Sequence, residues 1–235
     1  MPVKPSNGAT RNRILLRLSG ADLRLLEPHL SVVDLPLRKS LEAPHKRIDF
    51  VYFIDSGFAS VVANGHKDRS VEVGLIGREG VTGLAVIMGT DRSPNATFMQ
   101  GAGTGRRISV ACLIEAMEAS ATLRKTLLNY GHAFVIQTAQ TALANGRSKL
   151  EQRLARWLCM AQDRVDGELT LTHEFLALML GVRRPGVTLT INLLEKAGLI
   201  RAKRGVITII DRKSLEKSTD GAYGAPEAEF QRLFG

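Results

Sequence analysis

The chain has 235 residues, of which 44% are hydrophobic and 23% charged, with a formal net charge of +9; this is a globular composition with room for two domains of about 100–200 residues. Its apolar runs, such as Phe50–Ile54 and Leu84–Met88, are far shorter than the roughly 18 residues of a membrane span, and the polar start MPVKPSNGATRNR lacks a secretory leader's apolar segment, so the protein reads as cytoplasmic with no membrane partner. Cys112 and Cys159 stand alone and His29, His45, His66, His132 and His173 form no HxxxH pair, so both thiols read as reduced and buried and no metal is expected.

Residues 1–12 read as a flexible arm. Between Ile14 and Leu30, Leu15, Leu18, Leu23, Leu26 and Leu30 recur at helical spacing, interrupted near Ser19-Gly20, which predicts two short helices. From Val32 to Val110 the texture changes to short runs: VVDLPL, FVYFI, SVVA, VEVGLI, ATFMQ and RRISVACLI. Turn residues separate them at 56–57, 64–65, 77–80, 92–95 and 101–105, a pattern of a sandwich or barrel. GAGTG at 101–105 lacks the G-x-G-x-x-G spacing of a dinucleotide loop and reads as a turn.

Ile114 to about Asn145 is the longest helical stretch, with a break near Ala119-Ser120. Leu123, Leu127, Phe134, Thr138 and Thr141 recur at three-, four- and seven-residue steps, the seam of a homodimer interface; packing on the chain's own β domain is the alternative use of that stripe. Asn145-Gly146 is expected to stop the helix and act as a hinge. Lys149–Arg164 then forms a helix with Leu150, Leu154, Trp157, Leu158 and Ala161 on one side, Trp157 belonging to the core.

The segment 169–210 carries the function. Thr172 is a good helix cap with Glu174 in the first turn, Phe175, Leu176, Met179 and Leu180 make an apolar face, and Gly181 supplies a tight turn. A second helix opens near Arg184, with Pro185 in its first turn, and stops at Gly198. Two short helices joined by a glycine-bearing turn form a helix-turn-helix. At about 100° per residue, Val187, Ile191 and Leu194 share the core side. Pro185, Leu189, Asn192 and Lys196 fall opposite, flanked by Arg184 and Thr188. Arg184, Pro185, Thr188 and Leu189 should therefore enter deepest into the major groove of double-stranded DNA. Arginine matches guanine O6 and N7, Asn192 suits adenine or phosphate, and Leu189 and Thr188 suit thymine methyls. IRAKRGVITII follows as a hairpin wing whose tip, Lys203-Arg204-Gly205, suits phosphate. From Gly181 to Lys213 eight basic residues, among them Arg183, face only Glu195 and Asp211. His173-Glu174 lacks the second histidine of H-E-x-x-H, and no nucleophile–base pair or phosphate loop is present, so no enzyme is expected.

VYFIDSG (51–57), GREGVTGL (77–84), DRSPN (91–95) and LMLGVRRPGVT (178–188) together resemble the Crp/Fnr family of bacterial transcription factors. The resemblance covers nearly the whole chain. It implies an α+β protein with an N-terminal double-stranded β-helix or β-roll sensor domain of cyclic-nucleotide-binding type, a long dimerisation helix and a C-terminal winged helix-turn-helix. The corresponding boundaries are 13–118, 119–146 and 147–217, with 218–235 as an unassigned tail. It also implies a homodimer on a near-palindromic DNA site, RNA polymerase as a partner, and Arg184 at the family's guanine-reading position. Pro185 and Leu189 stand where the family often has glutamate and a second arginine, which departs from the usual half-site. The competing function is a ligand sensor whose winged helix serves as a protein-interaction module.

Members that bind cyclic AMP carry Gly-Glu-Leu ahead of an Arg-Ser pair. Here Arg92-Ser93 is present, but the stretch before it reads Val81-Thr82-Gly83-Leu84-Ala85 and Glu79 lies too early. The effector pocket expected from the resemblance comprises Glu79, Thr82, Gly83, Leu84, Arg92 and Ser93, taking an unknown small effector in preference to a cyclic nucleotide. The two distant cysteines cannot hold the family's iron–sulfur centre. No cofactor is assigned.

Overall fold

Residues 9–65 and 70–235 are described by a computed structural model; residues 1–8 of the expected arm, and His66, lie outside the described residues. The arm's last residues are tied down instead of loose. Thr10 Oγ1 and the backbone N–H groups of Arg11 and Asn12 all donate to one carboxylate oxygen of Asp55, at 2.6, 2.7 and 3.1 Å. Asn12 then caps α1 (Arg13–Arg17) and Ser19 caps α2 (Gly20–Leu26); a single 3-10 turn, Glu27–His29, leads into the strands.

The short apolar runs become β1 (Ser31–Leu35), β2 (Ser40–Glu42), β3 (Phe50–Ile54), β4 (Phe58–Asn64) and β5 (Ser70–Ile76). After α3 (Leu84–Ile87) come β6 (Ala96–Gly101) and β7 (Gly103–Ser109). They form two sheets, β1-β7-β3 and β2-β6-β4-β5. β7 is central to the first, antiparallel to β1 from Ser31↔Arg107 to Leu35↔Gly103 and to β3 from Phe50↔Ser109 to Ile54↔Gly105. Val51, Phe53, Ile54, Phe58, Met99 and Ile108 are buried. GAGTG is only partly a turn. Gly103 and Gly105 lie inside β7, where a Cβ on Gly103 would strike the Ser56 carbonyl. The run RRISVACLI likewise splits: the strand ends at Ser109, whose hydroxyl accepts the Cys112 N–H and starts α4 (Val110–Ala119).

Ser120 separates α4 from α5 (Ala121–Arg147). The stop expected at Asn145-Gly146 falls one residue later, after Arg147. Helical bonding continues to Ser148, whose N–H reaches the Ala144 carbonyl at 2.9 Å, and Gly146 has a helical backbone. The chain forms two compact units, one built on residues up to Val61 with Ile76–His132, the other on Val62–Leu75 with Ala133–Leu233. The ends of β4 and β5 therefore group with the C-terminal residues, and the unit boundary falls inside α5.

Burial on α5 corrects the expected dimer seam. Leu123 and Leu127 are fully buried in the first unit. In the second, Phe134 is buried against Gly74, and Gln137 beside it accepts from the Leu75 N–H at 2.6 Å and donates to its carbonyl at 3.2 Å. Thr138 and Thr141 are half-buried, and the Thr141 hydroxyl donates to the Gln137 carbonyl. Leu123, Leu127 and Phe134 thus serve their own chain. A second apolar stripe, displaced by one residue, stays outside: Leu128, Val135 and Leu143 are 46%, 51% and 56% exposed, with Ala139 and Ala142 exposed between them.

The second unit continues with α6 (Leu150–Gln162), β8 (Leu169–Thr170), α7 (His173–Leu180), α8 (Arg184–Lys196), β9 (Ile200–Lys203), β10 (Val206–Ile209), α9 (Arg212–Lys217) and α10 (Ala225–Phe234). Leu154, Trp157, Leu158 and Ala161 of α6 are buried as their spacing predicts. The C-terminal tail is folded. Tyr223 donates its hydroxyl to Asp163 at 2.8 Å and accepts from Arg212, while the Ala222 carbonyl accepts from Arg156. Cys159 is buried, which pushes its thiol up to about 12, whereas Cys112, expected buried, is half-buried. No helix among the described residues is long and apolar enough to cross a membrane.

Candidate nucleic-acid interface

α7 begins where Thr172 accepts the Phe175 N–H at 3.2 Å and ends at Gly181, whose φ of +62° lets Val182 bond back to the Ala177 carbonyl. This left-handed residue makes the tight turn into α8. Arg183 is the residue before α8, with no side-chain cap, and Pro185 sits in the first turn, where no N–H is needed. Val187, Ile191 and Leu194 are buried at 0%, 1% and 4% exposure, so the core side is the one their spacing indicates. Arg183, Arg184, Pro185, Leu189, Asn192 and Lys196 are all exposed and Thr188 is half-buried.

The wing is a two-residue hairpin. β9 and β10 pair from Ile200↔Ile209 to Lys203↔Val206, joined by Arg204 and Gly205 at φ +50° and +79°. Positive φ at both positions is the turn whose twist matches the strands. β8 flanks β10, and the Leu171 N–H bonds the Gly205 carbonyl at 2.7 Å, so the tip is held from the side. Lys203 and Arg204 are exposed there. Between α8 and the wing lies a groove of about 240 Å³ lined by His173, Asn192, Glu195, Lys203 and Arg204 among others.

Several charges of the basic run are tied to local partners. Glu195 accepts the Ala202 N–H at 2.7 Å, and Asp211 caps α9 by accepting the Ser214 N–H at 3.0 Å. Both acids of the basic run are thereby committed to backbone donors. Arg212 also leaves the surface charge, bonded to Asp163, Glu216, Gln162 and the Cys159 carbonyl. The remaining cations of the run are exposed. Missed from sequence was the partner of Arg184: Glu174 Oε1 lies 3.1 Å from its Nε.

Most of the six residues expected to hold an effector are engaged by their own surroundings. Thr82 is fully buried and stitched to β3, accepting the Tyr52 N–H and donating its own N–H to the Tyr52 carbonyl, each at 3.0 Å. Glu79 accepts the Gly77 N–H within its own loop, and Leu84 opens α3. Arg92 is 59% exposed and paired with its neighbour Asp91. Ser93 accepts the Asn95 N–H through its hydroxyl and the His45 N–H through its carbonyl. Gly83 donates its N–H to the buried Glu42 at 2.7 Å. Burial pushes the Glu42 carboxyl above the usual carboxylate range, against the opposite pull of Gly83 and Thr97. Glu42 comes from β2, where an irregular register against β6 re-aims the strand. Nothing in its local sequence marks it. A cavity of about 490 Å³ in the same unit is lined by Val86, Ile87, Met88, Ile114, Met117 and Arg124 among others, and by none of the six.

A β-roll, a long helix and a winged helix with a free outer face have the fold of a Crp/Fnr-type transcriptional regulator. Residues 152–218 match the model of the Crp-like helix-turn-helix domain. Among solved structures, a putative transcriptional regulator of the Crp/Fnr family from Eubacterium rectale aligns at 19% identity and TM-score 0.69, covering 87% of this chain and 96% of that one. FixK2 from Bradyrhizobium japonicum aligns at 16% identity and TM-score 0.69, covering 80% and 96%. The c-di-GMP responsive global regulator CLP of Xanthomonas campestris aligns at 16% and 0.66, covering 82% and 100%. No curated protein sequence matches the chain.

Proposed function

We propose that this protein is a DNA-binding transcription regulator that acts as a homodimer, placing two α8 helices in successive major grooves of a near-palindromic site. The carrying observation is the division of α8 into a sealed apolar side and an exposed side bearing Arg184, Asn192 and Lys196 next to a basic wing. Half-sites then lie about 34–36 Å apart. The second copy packs on the outer stripe of α5, at Leu128, Val135, Ala139 and Leu143. RNA polymerase is the partner through which a DNA-bound regulator of this fold acts. The protein's effector, where it uses one, is a small molecule other than a cyclic nucleotide: no carboxylate stands at the ribose-binding position of the 81–85 stretch, and Arg92 is exposed and paired with Asp91.

Selection of bound sequences from a random duplex pool tests this. A near-palindrome should emerge, with affinity falling steeply as salt rises. Arg184→Ala should lose roughly 1–3 kcal/mol of discrimination at one base pair of each half-site. A protein that selects nothing and ignores salt is instead an interaction module, whose docking face would be the exposed Leu178, Leu189 and Leu193.

A further inference from the structure

His173 and Glu174 open α7, and each reaches a different residue on the exposed side of α8. The Glu174 carboxylate meets Arg184 at Nε, 3.1 Å away, with the two side chains 64% and 63% exposed. So exposed a pair does little to hold the fold. Its consequence is geometric. The ion pair lies on the Nε side of the guanidinium, so the two terminal amino groups of Arg184 remain as a parallel pair of donors, the pair that matches guanine O6 and N7 end-on. A long side chain with many rotamers is also held near one of them, which lowers the ordering cost at the moment of binding. One residue earlier, His173 Nδ1 lies 2.9 Å from Thr188 Oγ1. The Thr188 hydroxyl also lies within donating reach of the Arg184 carbonyl, at 3.3 Å, so it is shared between the imidazole and its own helix backbone whichever tautomer His173 carries. The Thr188 hydroxyl is thereby committed, and its methyl is the group left for an apolar contact.

We propose that Glu174 and His173 are positioning residues for sequence readout: Glu174 aims Arg184 at a guanine, and His173 holds Thr188 beside it, neither touching a base itself. This rests on the DNA-binding reading above and deepens it. A search for base-reading residues on α8 alone overlooks both.

The test uses the full-length protein and the duplex emerging from selection, with the base pair read by Arg184 replaced in turn by the other three. Glu174→Gln should reduce the preference for guanine roughly two- to tenfold. Affinity for unrelated duplexes should hold or rise, because a negative charge near the phosphates has been removed. In an Arg184→Ala background the same substitution should change no preference, since the residue it aims is gone. His173→Ala should blunt discrimination at the adjacent pair and leave the guanine preference in place. Full guanine preference in Glu174→Gln, or an equal loss in both backgrounds, overturns the proposal while leaving the regulator reading intact. A wild-type protein that selects no sequence removes both.

Discussion

Trp157, the single tryptophan of the chain, donates its indole N–H to Glu72 Oε1 across 2.6 Å, and both side chains are buried. The bond joins β5 to α6 inside the C-terminal unit. Around it, Arg153 donates to Asn145 and to the Leu180 carbonyl, and Arg156 to Thr141. The last turns of α5 are thus linked to α6 and to the end of α7 by polar contacts. Trp157→Phe keeps most of the ring but withdraws a donor from a buried carboxylate, which should cost about 1–3 kcal/mol. Urea denaturation followed by circular dichroism reads this as a lower midpoint; an unchanged midpoint would mean that Glu72 is held by its other neighbours.

The outer stripe of α5 separates folding from assembly. Leu128→Asp with Val135→Asp should give monomers by light scattering and leave the helical circular dichroism intact, because both side chains are exposed in the single chain. Leu127→Asp buries a charge at a fully sealed position and should instead unfold the protein, at a cost above about 4 kcal/mol. Dimers that survive the double substitution would place the interface elsewhere.

Glu42 makes stability depend on pH with a defined sign. Burial raises its carboxyl in the fold, so the folded chain holds this proton more tightly than the unfolded chain does. Below the ordinary carboxylate value both states are protonated and there is no penalty. As pH rises from that value through the raised one, the unfolded state ionises first and the fold loses stability. Glu42→Gln keeps an oxygen for the Gly83 N–H and removes the penalty. Its melting temperature should exceed that of the wild type at pH 7, with the gap closing toward pH 4. A gap independent of pH would show that Glu42 does not titrate in this window.

Arg204 sits at φ +50° in the wing turn, a conformation that suits asparagine better than arginine. Arg204→Asn should therefore stabilise the hairpin by about 0.5–1 kcal/mol. The same change should weaken binding to all duplexes and flatten the plot of log affinity against log salt by about 0.9, as for one lost phosphate contact. The two effects have opposite signs, so a weakened complex cannot be ascribed to damaged folding. Altered sequence preference would instead put the wing tip against bases.

The winged helix was legible in the sequence because its determinants act within a turn or two of themselves. Thr172 caps, Gly181 takes the left-handed turn, Pro185 fits a first turn, and Val187, Ile191 and Leu194 mark one helical side. Most strand positions in the first half were legible for the same local reason, though Gly103 and Gly105, read as turn residues, lie inside β7.

Tertiary packing decided what remained. α5 has two apolar stripes one residue apart, and periodicity cannot tell the one its own chain covers, Leu123, Leu127 and Phe134, from the one left outside. Arg212 counts as a surface cation until it is found bonded to Asp163 and Glu216. Glu42 meets Gly83 across 41 residues of chain, and Glu174 meets Arg184 only because the Gly181 turn brings two helices side by side. Local spacing specifies which side of an element is apolar or charged; which distant group meets that side is chosen by how the elements pack, and the chain order does not carry it.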